Sequence, residues 1–111
     1  MRYLFLLWGD EVAELALSAD ERRAIVERHL AFSRAIRDEG RVISGDPLGP
    51  SRRGRVLRRD GSITDGPYLE TKEQLGGFYL VECADPEDAA AVAARIPTSP
   101  GLVVEIREIP D

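Results

Sequence analysis

Three ionisable residues, Glu70, Lys72 and Glu73, fall within four positions of the stretch Asp65-Gly-Pro-Tyr-Leu-Glu-Thr-Lys-Glu-Gln-Leu-Gly-Gly-Phe78. A lysine between two carboxylates can hold a substrate anion while one carboxylate moves a proton. The same three charges can equally do no more than pair with one another. Lys72 is the single lysine among fifteen basic residues, and His29 is the single histidine. Coding bias toward arginine accounts for the skew on solvated surfaces. A site needing a compact point charge, however, would not accept the larger planar guanidinium. His29 shares a helical stripe with Ile25, Phe32 and Ile36. There it is either a packed side chain bonded to backbone or a general acid or base.

Other reactive side chains point to less. Arg52, Arg53, Arg55, Arg58 and Arg59 can bind anions, but charges on an edge strand also serve to block aggregation. Cys83 has no cationic or histidine neighbour in sequence and reads as a buried thiol. The chain carries no metal-ligand spacing, phosphate loop or dinucleotide fingerprint, and one histidine cannot make a histidine-rich metal site. No cofactor is expected.

The elements that must position these residues follow from local patterns. Arg2 to Trp8 reads as a strand stopped by Gly9. Ser18-Ala-Asp-Glu21 is a capping box that opens a helix running to Glu39, with Gly40 at its end. Arg41 to Ser44 is a short strand, broken by Gly45 to Pro50. Arg53 to Arg59 and Ser62 to Thr64 flank Asp60-Gly61, the signature of a two-residue type I′ hairpin turn. In Asp65-Gly66-Pro67 the glycine supplies unusual dihedrals for a turn. Thr71 to Gln74 has capping-box spacing, which predicts one helical turn stopped by Gly76-Gly77. Gly77 to Cys83 is a strand. Asp85 and Pro86 open a second helix with Ala89, Val92, Ala93 and Ile96 on its apolar face. Leu102 to Arg107 is the last strand. This order predicts an α+β, ferredoxin-like arrangement: an antiparallel sheet with two helices on one face.

Composition sets the outer bounds. The 111 residues suffice for one domain, residues 1–111, and 43% apolar with 32% charged residues excludes a disordered chain. A net charge of −5 disfavours nucleic acid as partner. The apolar run Tyr3 to Trp8 is too short for a signal-peptide core or a membrane span. One cysteine cannot form an internal disulfide, which fits a reducing compartment and a cytoplasmic protein. Alternation in Tyr3 to Trp8 and in Phe78 to Cys83 makes both sheet faces apolar, whereas two helices cover only one. A homodimer packed sheet to sheet is therefore expected, with a small-molecule pocket in the cleft between the sheets.

The stretch from Asp65 to Phe78 resembles the signature of the YCII-related domain family, in its subgroup named for an Asp-Gly-Pro-Phe motif. Tyr68 stands where that subgroup usually has phenylalanine. The opening strand, long first helix and final strand also fit, so the resemblance spans nearly the whole chain. It implies a ferredoxin-like fold of the dimeric α+β barrel type, related to muconolactone isomerases and cofactor-free monooxygenases. Members of the subgroup are often encoded beside, or fused to, extracytoplasmic-function sigma factors. Related domains carry a histidine at the point of His29 as a proposed active-site residue, partnered by an aspartate before a proline near the second helix's end. Here that place reads Ile96-Pro97, so the pair is broken, and Asp46 or Asp65 can substitute only if folding brings either near His29. Two functions follow. One is a cofactor-free enzyme that moves protons on a small carbonyl or lactone-like substrate, with His29, Asp65, Glu70, Lys72 and Glu73 as candidate catalytic residues. The other is a non-catalytic dimeric module that binds a ligand or a protein in a sigma-factor pathway.

Overall fold

A computed structural model describes residues 1–110 of the chain. Strand β1 (Arg2–Asp10) leads into a short helix α1 (Glu11–Leu15) and a long helix α2 (Ala19–Asp38). Strand β2 (Val42–Pro47), a single 3-10 turn (Ser51–Arg53) and the strands β3 (Arg55–Leu57) and β4 (Ile63–Asp65) come next. Strand β5 (Glu73–Glu82), helix α3 (Pro86–Ala93) and strand β6 (Val103–Ile109) complete the chain. The main sheet has the order β2-β5-β1-β6 with every pairing antiparallel, and β3-β4 form a separate two-stranded sheet. This is the expected α+β, ferredoxin-like architecture with a hairpin inserted before β5. No helix among the described residues is long and apolar enough to cross a membrane.

The helix boundaries follow local chemistry. Ser18 and Glu21 form the reciprocal capping box. At the other end Gly40 takes φ 77°, so that Gly40 N–H bonds Arg37 and Arg41 N–H bonds Ile36. Those two bonds close the helix and satisfy its last carbonyls. Asp85 caps α3, with Pro86 in its first turn. Tyr3, Phe5 and Leu7 of β1, Tyr79 and Val81 of β5 and Cys83 just beyond it bury themselves under Phe32, Ile36, Ala89, Val92 and Ile96. The opposite face, with Leu4, Leu6, Trp8, Phe78 and Leu80, has no helix on it and stays partly exposed.

Four local expectations are corrected. The structure adds a third helix, α1, between β1 and the long helix; Asp10 caps it by accepting from Ala13 N–H at 3.1 Å. Strand β2 continues through Gly45 to Pro47 instead of breaking, because it is an edge strand that tolerates proline. Its glycine is required by packing, since a Cβ at Gly45 would stand 2.5 Å from Cδ1 of Tyr79. The hairpin loop spans residues 58–62, and among its residues only Gly61 has positive φ, so the turn is not type I′. Asp60 closes it through its side chain, accepting from Ser62 N–H at 2.9 Å. Finally, Thr71 to Gln74 is no helical turn. Gln74 donates to Leu69 and Thr71 carbonyls, the strand starts at Glu73, and the register slips at Leu7/Trp8 so that Gly76 is the extra residue of a bulge.

Candidate functional site

The sheet bulge places Trp8 and Leu75 at the end of the helix-free face, where two loops converge. The loop after β2 brings Leu48 and the 3-10 turn. The loop after β4 brings Pro67 and Leu69. Together they line an open cleft of about 540 Å³ whose wall also carries Arg53 and Glu73. A smaller cleft of about 250 Å³ adjoins it, sharing Ser51, Pro67, Thr71 and Gln74, and is lined by Asp10, Glu11, Glu70 and Lys72. A volume near 540 Å³ is in the range of small-molecule sites, and apolar walls with a few polar groups are their usual chemistry.

The loops are fixed by contacts between distant segments. Glu11 accepts from Ser51 N–H at 2.8 Å and from the Ser51 hydroxyl, tying the 3-10 turn to α1. Gly66 N–H donates to the Gly54 carbonyl at 2.7 Å. The glycine of the Asp-Gly-Pro turn has no positive φ, contrary to expectation. It is needed because a Cβ there would meet the Gly54 backbone at 2.9 Å. Trp8 is pinned by its indole N–H, which donates to Glu105 at 3.0 Å. Arg107, then Trp8, hold the Glu105 carboxyl below the usual carboxylate range.

Glu70, Lys72 and Glu73 are thus brought to one connected concavity. Lys72 is 75% exposed, and its ion pair is with Asp10 at 3.8 Å instead of with either neighbouring glutamate. Asp10, Glu11 and Glu14 surround that end of β1, and burial, followed by repulsion from Glu11 and Asp10, raises the Glu14 carboxyl above its ordinary value. Asp65 is exposed, stands opposite Arg55 in the hairpin and lines neither cleft.

His29 lies on the helix-covered side, outside both clefts. Neither Asp46 nor Asp65 reaches it. Its Nδ1 is 2.7 Å from the hydroxyl of Tyr79, and the two rings stack at 6.0 Å between centroids. Burial lowers the His29 pKa and raises that of Tyr79, so a neutral imidazole meets a protonated phenol at neutral pH. Sequence reasoning missed Tyr79 as the partner, although its inward phase in β5 and the stripe of His29 were both visible. It also missed Trp8 and Arg53 as cleft residues, which no local pattern marks. Among the described residues no three or more His, Cys, Asp or Glu side chains are placed to hold one metal ion.

The model of the YCII-related domain matches residues 1–111 of this chain. An uncharacterised protein of Rhizobium meliloti (strain 1021) is 35% identical over 92 residues, covering 80% of this chain and 74% of that protein.

Proposed function

The chain belongs to the YCII-related domain family, and from that premise we propose that it is a cytoplasmic homodimer performing cofactor-free proton transfer on a small carbonyl or lactone-like compound. The observation that carries this reading is the pair of adjoining clefts, with Glu73 in the one walled by Trp8 and Leu75 and with Glu70 and Lys72 in the smaller one. The substrate's apolar part lies on Trp8, and its carbonyl oxygen faces the Arg53 guanidinium. Glu73 takes a proton from the carbon next to that carbonyl. The negative charge passes to the oxygen, where Arg53 stabilises it, and the proton returns to carbon. Lys72 holds a second anionic group of the substrate at the mouth of the smaller cleft. Two protomers pack through the face of Leu4, Leu6, Phe78 and Leu80, which shelters the cleft from water.

The second reading, a dimeric ligand- or protein-binding module without catalysis, is favoured by the exposure of Glu70, Lys72 and Glu73. A sigma-factor pathway is the setting that the family resemblance suggests for it. One experiment separates the two. Trp8 is the only tryptophan, so its fluorescence reports occupation of the cleft. Small carbonyl compounds and lactones that change it are then followed by NMR in D2O for exchange of the proton next to the carbonyl. Exchange that Glu73→Gln abolishes while binding persists supports the enzyme. Binding without exchange supports the module, and a silent Trp8 across the series removes the cleft from both readings.

A further inference from the structure

We infer that the segment 51–65, the hairpin arm built on β3 and β4, is a clasp between two copies of this chain: it lies across the second copy and joins the dimer. The inference rests on the homodimer of the proposed function and adds the segment that holds it together. A lone two-stranded hairpin is at best marginal in water unless something packs on it. Here the strands are three residues each, and the directly paired Leu57 and Ile63 are 72% and 52% exposed. The arm's charge is equally unmatched within its own chain. Arg52, Arg53, Arg55, Arg58 and Arg59 form no ion pair among the described residues. The face of Arg58 rests only on the ring of Tyr68, at 5.8 Å.

Charge complementarity names the occupant. Five arginines against Asp60 and Asp65 give the arm a net +3, so with a total of −5 the rest of the chain stands at −8. Asp46 shares the helix-free face with its cross-strand neighbour Phe78, and Glu70 stands at the end of that face. These two carboxylates also lack an ion pair among the described residues. A second copy therefore offers both an acidic rim for the arginines and an apolar sheet for Leu57 and Ile63. The surface area agrees. A compact monomer of 12.3 kDa exposes about 6,100 Å². This chain exposes 7581 Å² and measures 42 × 40 × 18 Å. The excess, about 1,500 Å² by the same scaling, exceeds the roughly 800 Å² per partner that a stable interface needs.

The test is sedimentation of the full chain beside its Arg55→Glu/Arg59→Glu and Arg55→Lys/Arg59→Lys variants, at low and high salt. We expect the dimer dissociation constant to rise about tenfold or more in the glutamate variant, to stay near the parent's in the lysine variant, and to rise with salt in the parent. Arg59→Lys also places an amine at the arm's tip for carbodiimide coupling to carboxylates. In dimers mixed from light and heavy nitrogen chains, we expect cross-links of mixed isotope from the arm to Asp46 or Glu70. Same-isotope cross-links alone, or a glutamate variant that dimerises like the parent, overturn the clasp and leave the sheet-to-sheet dimer standing. A monomeric parent overturns both, and a parent that binds only a different acidic protein overturns the clasp between copies.

Discussion

His29 owes its state to its surroundings. Burial among apolar neighbours disfavours the imidazolium, and the Tyr79 hydroxyl supplies a neutral partner at 2.7 Å. As the only histidine, its ring protons give unambiguous NMR signals. We predict a titration midpoint below the ordinary 6.5, in the parent and in Tyr79→Phe alike, because burial and not the hydrogen bond is the cause. Tyr79→Phe itself should cost about 1 kcal/mol for the lost hydrogen bond. A midpoint at or above 6.5 in either protein refutes that account. Glu39 makes the second prediction at this scale. Arg95 donates to it twice, at 3.0 and 2.7 Å, and Arg41 once, at 2.9 Å. Those bonds, led by Arg95, hold its carboxyl at about 2. A carboxyl depressed in the folded state stabilises it above the ordinary 4.5 and loses that contribution as pH falls through about 2. Denaturant titrations across that window should show the slope in the parent and a flatter one in Glu39→Gln.

At the scale of elements, the cleft depends on loops that approach more closely than side chains normally permit. Gly66 and Gly54 touch backbone to backbone where the loop after β4 passes the 3-10 turn. Gly66→Ala would put a methyl group 2.9 Å from the Gly54 carbonyl carbon and oxygen, and backbone cannot swing aside as a flexible side chain can. We predict a loss of about 1–3 kcal/mol in stability and a red shift of Trp8 emission as the loops part. Gly49→Ala, in the same cleft with nothing within 4 Å, should change neither. Equal effects at the two positions would show that close approach is not what the motif's glycine provides. Glu39 acts at this scale too, tying the end of α2 to Arg95 just beyond α3, while Arg41 bonds Asp88 of α3 at 2.6 Å.

The whole molecule is a thin plate, 18 Å in its shortest dimension, with its helices on one side. One layer of sheet under one layer of helices leaves Leu4, Leu6, Phe78 and Leu80 partly exposed together on the open face. Apolar side chains left partly exposed side by side on one sheet face are the mark of an interaction surface. We predict that the parent sediments as a dimer at micromolar concentration. Leu6→Glu should convert it to a folded monomer, since an unpaired carboxylate buried between sheets costs several kcal/mol. Val26→Glu, on the helix side where Val26 is already exposed, should remain dimeric. A monomeric parent, or a Leu6→Glu dimer of unchanged affinity, assigns that face to some other use.

What the sequence determined by itself is everything settled within about one helical turn or by the strand alternation. The Ser18 and Asp85 caps, the stop at Gly40 and the inward phase of Tyr3, Phe5 and Leu7 are of this kind, because backbone hydrogen bonding and side-chain direction are local. The long alternating runs also determined the sheet and the class of fold. The tertiary structure alone decided which distant groups meet. Tyr79 stands 50 positions from His29, Asp10 62 positions from Lys72 and Ser51 40 positions from Glu11. Such pairings depend on strand order and register, and a single bulge at Gly76 shifts which side chains reach the cleft. Thr71 to Gln74 shows the same limit: its capping-box spacing competes with the pairing of Glu73 and Gln74 onto β1, and the pairing wins, whereas the Asp60 turn is settled locally by the Asp60 side chain on Ser62 N–H.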